Sequence, residues 1–391
     1  MQNHKVVITG IGLISSLGEG VEEHWERLNS VPLKPRIDEN RFSPYTVHPI
    51  GEIDWNLQIP KRSDQRQMET WQRLGTYAAG LALEDAGIKG DEALTSTMDM
   101  IVAAGGGERD INVDSQILEA ARHHQERGVL LNHMLSSELR PTLFLAQLSN
   151  LLAGNIAIVH KVTGSSRTFM GEEGSGLSAI EIAYSRIRSG QSTHALVGGS
   201  YNAEHYDMLL GQELAGSLSR HGWSSVWDRE KSEGGGLISG SGGVFLVLEK
   251  AENALKRGAK IYAELEGIIT DQINRKKNST LDALSLMYQK FGTQADFFIS
   301  AASGLKKITQ EEQQFLEQTN LTYRGITSAF GHLREAQFPL ALAIAAIAVQ
   351  KKEAFAALNT IEKQHIQPIQ NVFISMVGMN RAEGMAKLKV A

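Results

Sequence analysis

The residue types that could do chemistry gather most densely at Glu172-Glu173, inside the stretch GSSRTFMGEEGSGLSAIEIAYSRIRSGQSTHALVGG from Gly164 to Gly199. Gly174 and Gly176 flank a turn, after which Ile180, Ala183, Tyr184 and Ile187 recur at helical spacing. Arg186 and Arg188 then Gly190 form a good helix end. His194 to Val197 reads as a short buried strand closed by Gly198-Gly199. The two glutamates therefore stand at a strand-to-helix turn. Free backbone N–H groups and the helix dipole favour an anion there, and the same field lowers the pKa of a nucleophile placed at such a point.

Other catalytic constellations are excluded by composition and spacing. The chain has no cysteine, which rules out disulfides, zinc-thiolate sites and thiol catalysis. No G-x-S-x-G elbow, H-E-x-x-H or P-loop occurs, so neither Ser175 nor Ser303 has the setting of a hydrolase nucleophile. Gly10-Ile11-Gly12 follows the strand Lys5 to Thr9, but Ser15 takes the third glycine position of a dinucleotide fingerprint. No metal or cofactor is expected. His123-His124 lie in a charged helix and read as solvated. Mild acidity, 39 Lys+Arg against 44 Asp+Glu, argues against nucleic-acid binding.

The elements that must position these residues follow from length and periodicity. A chain of 391 residues exceeds the roughly 250–300 that one core supports, so two packed halves are expected. Abundant glycine (38) and little proline (8) suit an α/β protein with tight strand-helix turns. Strands are predicted at Asp99 to Ala104 and Val244 to Leu248, and a polar helix at Glu249 to Gly258. A long helix ends at Gly87, and Asp110 to Gly154 is mostly helical. Asp99-Met-Ile-Val-Ala-Ala and Asp296-Phe-Phe-Ile-Ser-Ala-Ala form a weak internal repeat. The longest apolar segment, Phe338 to Val349, is too short for a membrane span of about 20 residues and reads as a core helix. No secretory pattern opens the chain, so a cytoplasmic protein is expected.

The nucleophile stretch resembles that of the β-ketoacyl-[acyl carrier protein] synthases, the elongating condensing enzymes. Gly164, Ser175-Gly176 and Ala179-Ile180 match their pattern in register, and Glu173 then falls on the cysteine. The start V-V-I-T-G-I-G, with Trp25 in the next helix, is also similar, as is the passage from Trp227-Asp228 to Gly243. The family's N-A-H-G-T falls on Ser300 to Gly304, placing Ala302 at one histidine. Its K-S-x-x-G-H-x-x-G-A-A-G falls on Thr327 onward, keeping His332 but not the lysine or the tail. Its C-terminal gate falls on Ser375 to Asn380, where Gly378 and Asn380 match.

The resemblance implies a thiolase-like α/β fold: two related βαβαβ halves, residues 1–250 and 251–391, in five αβαβα layers. It makes Glu173, Ala302 and His332 the active-site positions, and sets Thr327, Phe330 and Met376 around the substrate pocket. It implies acyl carrier protein as a partner, and a homodimer or a heterodimer with an active Cys-His-His synthase. With cysteine and one histidine replaced, condensation is expected to be absent. The implied role is a partner subunit of the chain-length-factor kind. The alternative is a decarboxylase or hydrolase of carrier-bound acyl groups using His332. An isolated buried carboxylate is costly, so Glu173 is expected to cap its helix and pair with His332.

Overall fold

A computed structural model describes residues 3–231, 234–292 and 295–391 of the chain. Its main strands are mostly buried on both faces, the pattern of a sheet covered by helices on each side. In chain order they are β1 (Val6–Ser15), β2 (Asp99–Ala104), β3 (Ser166–Met170), β4 (His194–Tyr201), β5 (Gly242–Lys250), β6 (Ala263–Asp271), β7 (Phe297–Ser300), β8 (Thr322–Gly325), β9 (Asn371–Val377) and β10 (Glu383–Lys389). With a short strand at Gly18–Glu19, the described residues form an eleven-stranded sheet in the order β8-β7-β9-β10-β6-β1-β5-β4-β2-β3.

That order contains one pattern twice. β1-β5-β4-β2-β3 and β6-β10-β9-β7-β8 each run antiparallel through the first two pairings and parallel through the last two. They join where Val6–Ile8 pairs antiparallel with Ala263–Leu265. β2 and β7, which carry the weak sequence repeat, hold equivalent places next to the outermost strands.

Six helices complete the layers: α1 (Thr70–Asp85), α2 (Leu151–His160), α3 (Glu173–Arg188), α4 (Thr280–Phe291), α5 (Lys306–Thr319) and α6 (Gln337–Lys351). α3 and α6 touch strands of both patterns and form the middle layer. α1 and α2 cover the outer face of one pattern, α4 and α5 that of the other. This is the five-layer α/β arrangement that the resemblance implied. α6 is buried from Gln337 through Val349, as an all-apolar helix must be. Gly10 and Gly12 let α1 cross β1 at contact: an added Cβ would stand 2.3 Å from the Ala82 carbonyl oxygen and 1.8 Å from that of Ala78.

Some boundaries differ from the sequence reading, most of them for one reason. Glycines taken as strand ends lie inside strands, because a backbone packed against a neighbour needs no side chain there. β1 runs through Gly10 and Gly12 to Ser15, and β4 through Gly198-Gly199 to Tyr201. Likewise α3 begins at Glu173 and contains Gly174 and Gly176 rather than following them. Glu249 and Lys250 belong to β5, so the helix after it starts at Ala251.

α6 ends on Lys352, exposed and left-handed at φ 57°, a conformation in which a Cβ is strained. Lys352→Gly is therefore expected to stabilise the protein by about 1 kcal/mol in urea titration.

Candidate functional site

Glu173 is the first residue of α3, and its side chain is fully out of water. His332, equally buried, brings Nε2 to 3.0 Å from Glu173 Oε1. The sequence expectation of a partnered carboxylate thus has its counterpart in the structure. The contact is at hydrogen-bond distance and becomes an ion pair when the imidazole is protonated. The expected capping role is corrected: Glu172 is the N-cap, and no side chain caps this helix. Glu173 is the first residue inside the helix, one past the N-cap position.

The backbone fixes His332 tightly. Gly331 takes φ 70°, and a Cβ there would stand 2.8 Å from the Gly240 nitrogen. The His332 N–H donates to the Ile238 carbonyl at 2.9 Å, and its own carbonyl accepts from the Gly240 N–H at 3.0 Å. A glycine turn and a short bridge to Ser239–Gly240 therefore aim the imidazole at the end of α3.

The other positions form a second cluster. The Thr327 hydroxyl donates to the Ala302 carbonyl at 2.6 Å and accepts from Gln337 Nε2 at 3.0 Å. Gln337 Oε1 accepts the Leu333 N–H at 2.8 Å. Gln337 therefore ties Thr327 and Ala302 to the residue after His332. Phe330 is buried and stacks on His24 at 5.9 Å between centroids, and Met376 is buried within β9.

The electrostatics follow from burial and partners. Burial alone would raise the Glu173 pKa, but the His332 imidazole, the residue's own backbone N–H and Arg334 together outweigh it, and the carboxyl lies below its ordinary 4.5. Glu335 is fully buried, and burial pushes it up to about 7 against the pull of Arg334. Burial would lower the Arg334 pKa, yet Glu335, Tyr201, Glu173 and Glu172 hold it above the usual arginine range. Its guanidinium lies over the Tyr201 ring, 5.7 Å from the centroid, and 4.0 Å from Glu172.

Sequence reasoning missed several of these groups. Gln337, Arg334, Glu335 and Tyr201 were passed over, although the first three lie where the G-A-A-G tail breaks down, and that breakdown was the signal. Glu312 gave no local signal. It is buried on α5 and accepts from Ser300 at 2.7 Å and Ser375 at 2.6 Å, while burial keeps its carboxyl above the ordinary range. Among the described residues no cluster of His, Asp and Glu could hold a metal ion, and no helix is long and apolar enough to cross a membrane.

A model of the β-ketoacyl synthase N-terminal domain matches residues 3–254. The chain belongs to the β-ketoacyl synthase family. The 3-oxoacyl-[acyl-carrier-protein] synthase 2 of Vibrio cholerae is 27% identical to this β-ketoacyl synthase homologue over 277 residues, 68% of the chain and 63% of that protein. The corresponding Staphylococcus aureus protein is 26% identical over 275 residues, 68% of the chain and 62% of that protein. The chain thus spans less than two thirds of the length of these relatives. Among solved structures, the ishigamide ketosynthase/chain length factor superposes with TM-score 0.79 at 20% identity, covering 100% of both chains. A β-ketoacyl synthase from Burkholderia phymatum gives 0.78 at 19% identity, covering 99% of this chain and 100% of that one. At these identities the likeness is one of fold, and the fold is thiolase-like as expected.

The buried pair of this family member has a defined pH signature. The folded pKa of Glu173 lies below the unfolded one, so its contribution is present above about pH 4.5 and lost as pH falls through the folded value. Glu173→Gln removes that part. The stability gap between wild type and E173Q, from urea titrations, is expected to shrink between about pH 7 and about pH 3. His332→Ala leaves a buried carboxylate without its partner and is expected to cost about 3–5 kcal/mol near neutral pH.

Proposed function

We propose that this β-ketoacyl synthase homologue is a condensation-inactive partner subunit of the chain-length-factor kind. It serves fatty-acid or polyketide chain elongation together with acyl carrier protein and an active Cys-His-His synthase. In this reading residues 1–250 and 251–391 are the two related halves, and Glu173, Ala302 and His332 are the three former catalytic positions. Thr327, Phe330 and Met376 are what remains of the substrate-binding wall.

The observation that carries the reading is the buried Glu173–His332 pair. Condensation runs through a covalent acyl-enzyme, and a carboxylate cannot hold an acyl chain as a usable thioester. Glu173 also brings negative charge to the point a malonyl carboxylate would approach. Ala302 has no polar side chain, and loss of one oxyanion donor costs on the order of 10²–10³ in rate. A decarboxylase or hydrolase built on His332 would need a free imidazole beside water, whereas this one lies against a carboxylate with both groups fully buried.

Surface features support a pairing role. β3 is one of the sheet's two end strands, bonded on one side to β2, and Met170 is 68% exposed on it. The helical segments before it leave Leu118, Val129, Phe144, Leu145 and Ile158 exposed. An open strand edge and exposed apolar side chains are each features that natural proteins cover. One of the fold neighbours is itself a ketosynthase/chain length factor. Another shows a type II polyketide synthase acyl-carrier protein in complex with its ketosynthase, at TM-score 0.73 and 17% identity.

Co-expression with a cysteine-bearing homologue checks the proposal. Mixed dimers are expected by native mass spectrometry. The chain alone, incubated with acyl- and malonyl-carrier protein, is expected to give neither an acyl adduct nor a β-ketoacyl product. Homodimers only, or a covalent acyl adduct on the isolated chain, would overturn it.

A further inference from the structure

The first hairpin of the chain brings a serine and a histidine together outside the Glu173–His332 pair. β1 ends at Ser15 and turns back through Ser16 and Leu17 into the short strand Gly18–Glu19, with Ser15 opposite Gly18. The helix Gly20–Leu28 follows at once and carries His24, fully buried, one turn in. His24 Nδ1 lies 2.5 Å from the Gly20 carbonyl oxygen, which can only accept, so this nitrogen carries the ring proton. Burial pushes the His24 pKa down to about 4, so the ring is neutral near neutral pH and Nε2 is bare. Nε2 stands 2.7 Å from Ser15 Oγ, and the Ser15 hydroxyl therefore donates to it. The Leu17 N–H donates to the same oxygen at 3.1 Å. Nucleophile, base and orienting group thus follow one another as in a hydrolytic triad, with a backbone carbonyl in the third place.

The serine end of this array borders a cavity of about 880 Å³, a volume typical of small-molecule sites. Ser15 and Ser16 form part of its wall. Ser16 Oγ is buried without a hydrogen-bond partner, a costly state for a hydroxyl and one that leaves a donor free beside Ser15. Arg27 and Arg36 face Asp38 and Glu52 across the same cavity, so its wall carries both signs and suits an uncharged polar molecule rather than a long acyl chain. Ile50 and Ile53 add apolar surface for a short one.

We propose that Ser15 and His24 form a nucleophile–base pair that cleaves short, uncharged oxygen esters admitted through this cavity, with the Ser16 hydroxyl donating to the ester carbonyl oxygen as it gains charge. Ser15 Oγ bonds to the acyl carbon while its proton passes to His24 Nε2. The bond from that carbon to the alcohol oxygen breaks, and the alcohol leaves with the proton from Nε2. Water then adds to the acyl-serine and gives a proton to Nε2. The acid departs as Ser15 Oγ takes that proton back. A base whose pKa lies far below the working pH is a weak one, so turnover is slow and the acyl-serine accumulates. The proposal is independent of the partner-subunit reading, which concerns acyl groups delivered by carrier protein.

The full chain incubated with p-nitrophenyl acetate tests it. A burst of nitrophenol stoichiometric with the chain is expected, with the acetyl group mapped to Ser15 by peptide mass spectrometry. Ser15→Ala should abolish that adduct. His24→Gln keeps a polar side chain but no base and should slow its formation about a hundredfold or more. Urea titration reports that each variant is folded. Ser15→Cys gives a reading that does not depend on the base: the chain has no other cysteine, so iodoacetamide is expected to label this one alone through the cavity. An acetyl-Ser15 adduct from this probe leaves the partner-subunit reading as it stands. Acetylation only at other residues, formation of the Ser15 adduct as fast in His24→Gln as in wild type, or a folded Ser15→Cys that resists iodoacetamide would overturn the proposal.

Discussion

A carboxylate and an imidazole, both removed from water and 3.0 Å apart, are the contact around which the centre of this molecule is arranged. Taking a carboxylate out of water costs several kcal/mol, so Glu173 cannot be placed there alone. The chain delivers them from distant parts of the sequence. One comes on the first turn of a middle-layer helix, the other on a glycine turn bridged to Ser239–Gly240. Every layer of the fold has to be in register for the two to meet.

The surroundings have adjusted as a set. Arg334 lies among Glu172, Glu173, Glu335 and Tyr201, so one guanidinium offsets several acids. Glu335 still cannot stay fully ionised, because burial outweighs its neighbour's attraction. On the other side, Thr327, Gln337 and Ala302 satisfy one another through hydroxyl, amide and backbone groups. Glu312 is held neutral-leaning between two serines rather than against a cation. A buried network of this kind rigidifies when its members are satisfied, and it exacts a penalty when one is removed.

The fold was largely legible in the sequence, because periodicity and the weak Asp99/Asp296 repeat are written along the chain. The Glu173–His332 meeting was legible too, through register with a family pattern and the rule that buried charges are partnered. What escaped were features that depend on distance in space. Glycines 10, 12, 198 and 199 look like breaks until a crossing helix or neighbouring strand is seen to need the room. Glu312 meets its serines from a helix and two separate strands, which no local spacing announces. Arg275 and Glu383 are 108 positions apart and become partners only through the sheet.

The free edge of β3 has a consequence for how the sheet can grow. Its outward N–H and C=O groups, beside Met170 and Ile158, are a template to which another strand can add. A strand added there would extend the eleven-stranded sheet by one and give β3 neighbours on both sides.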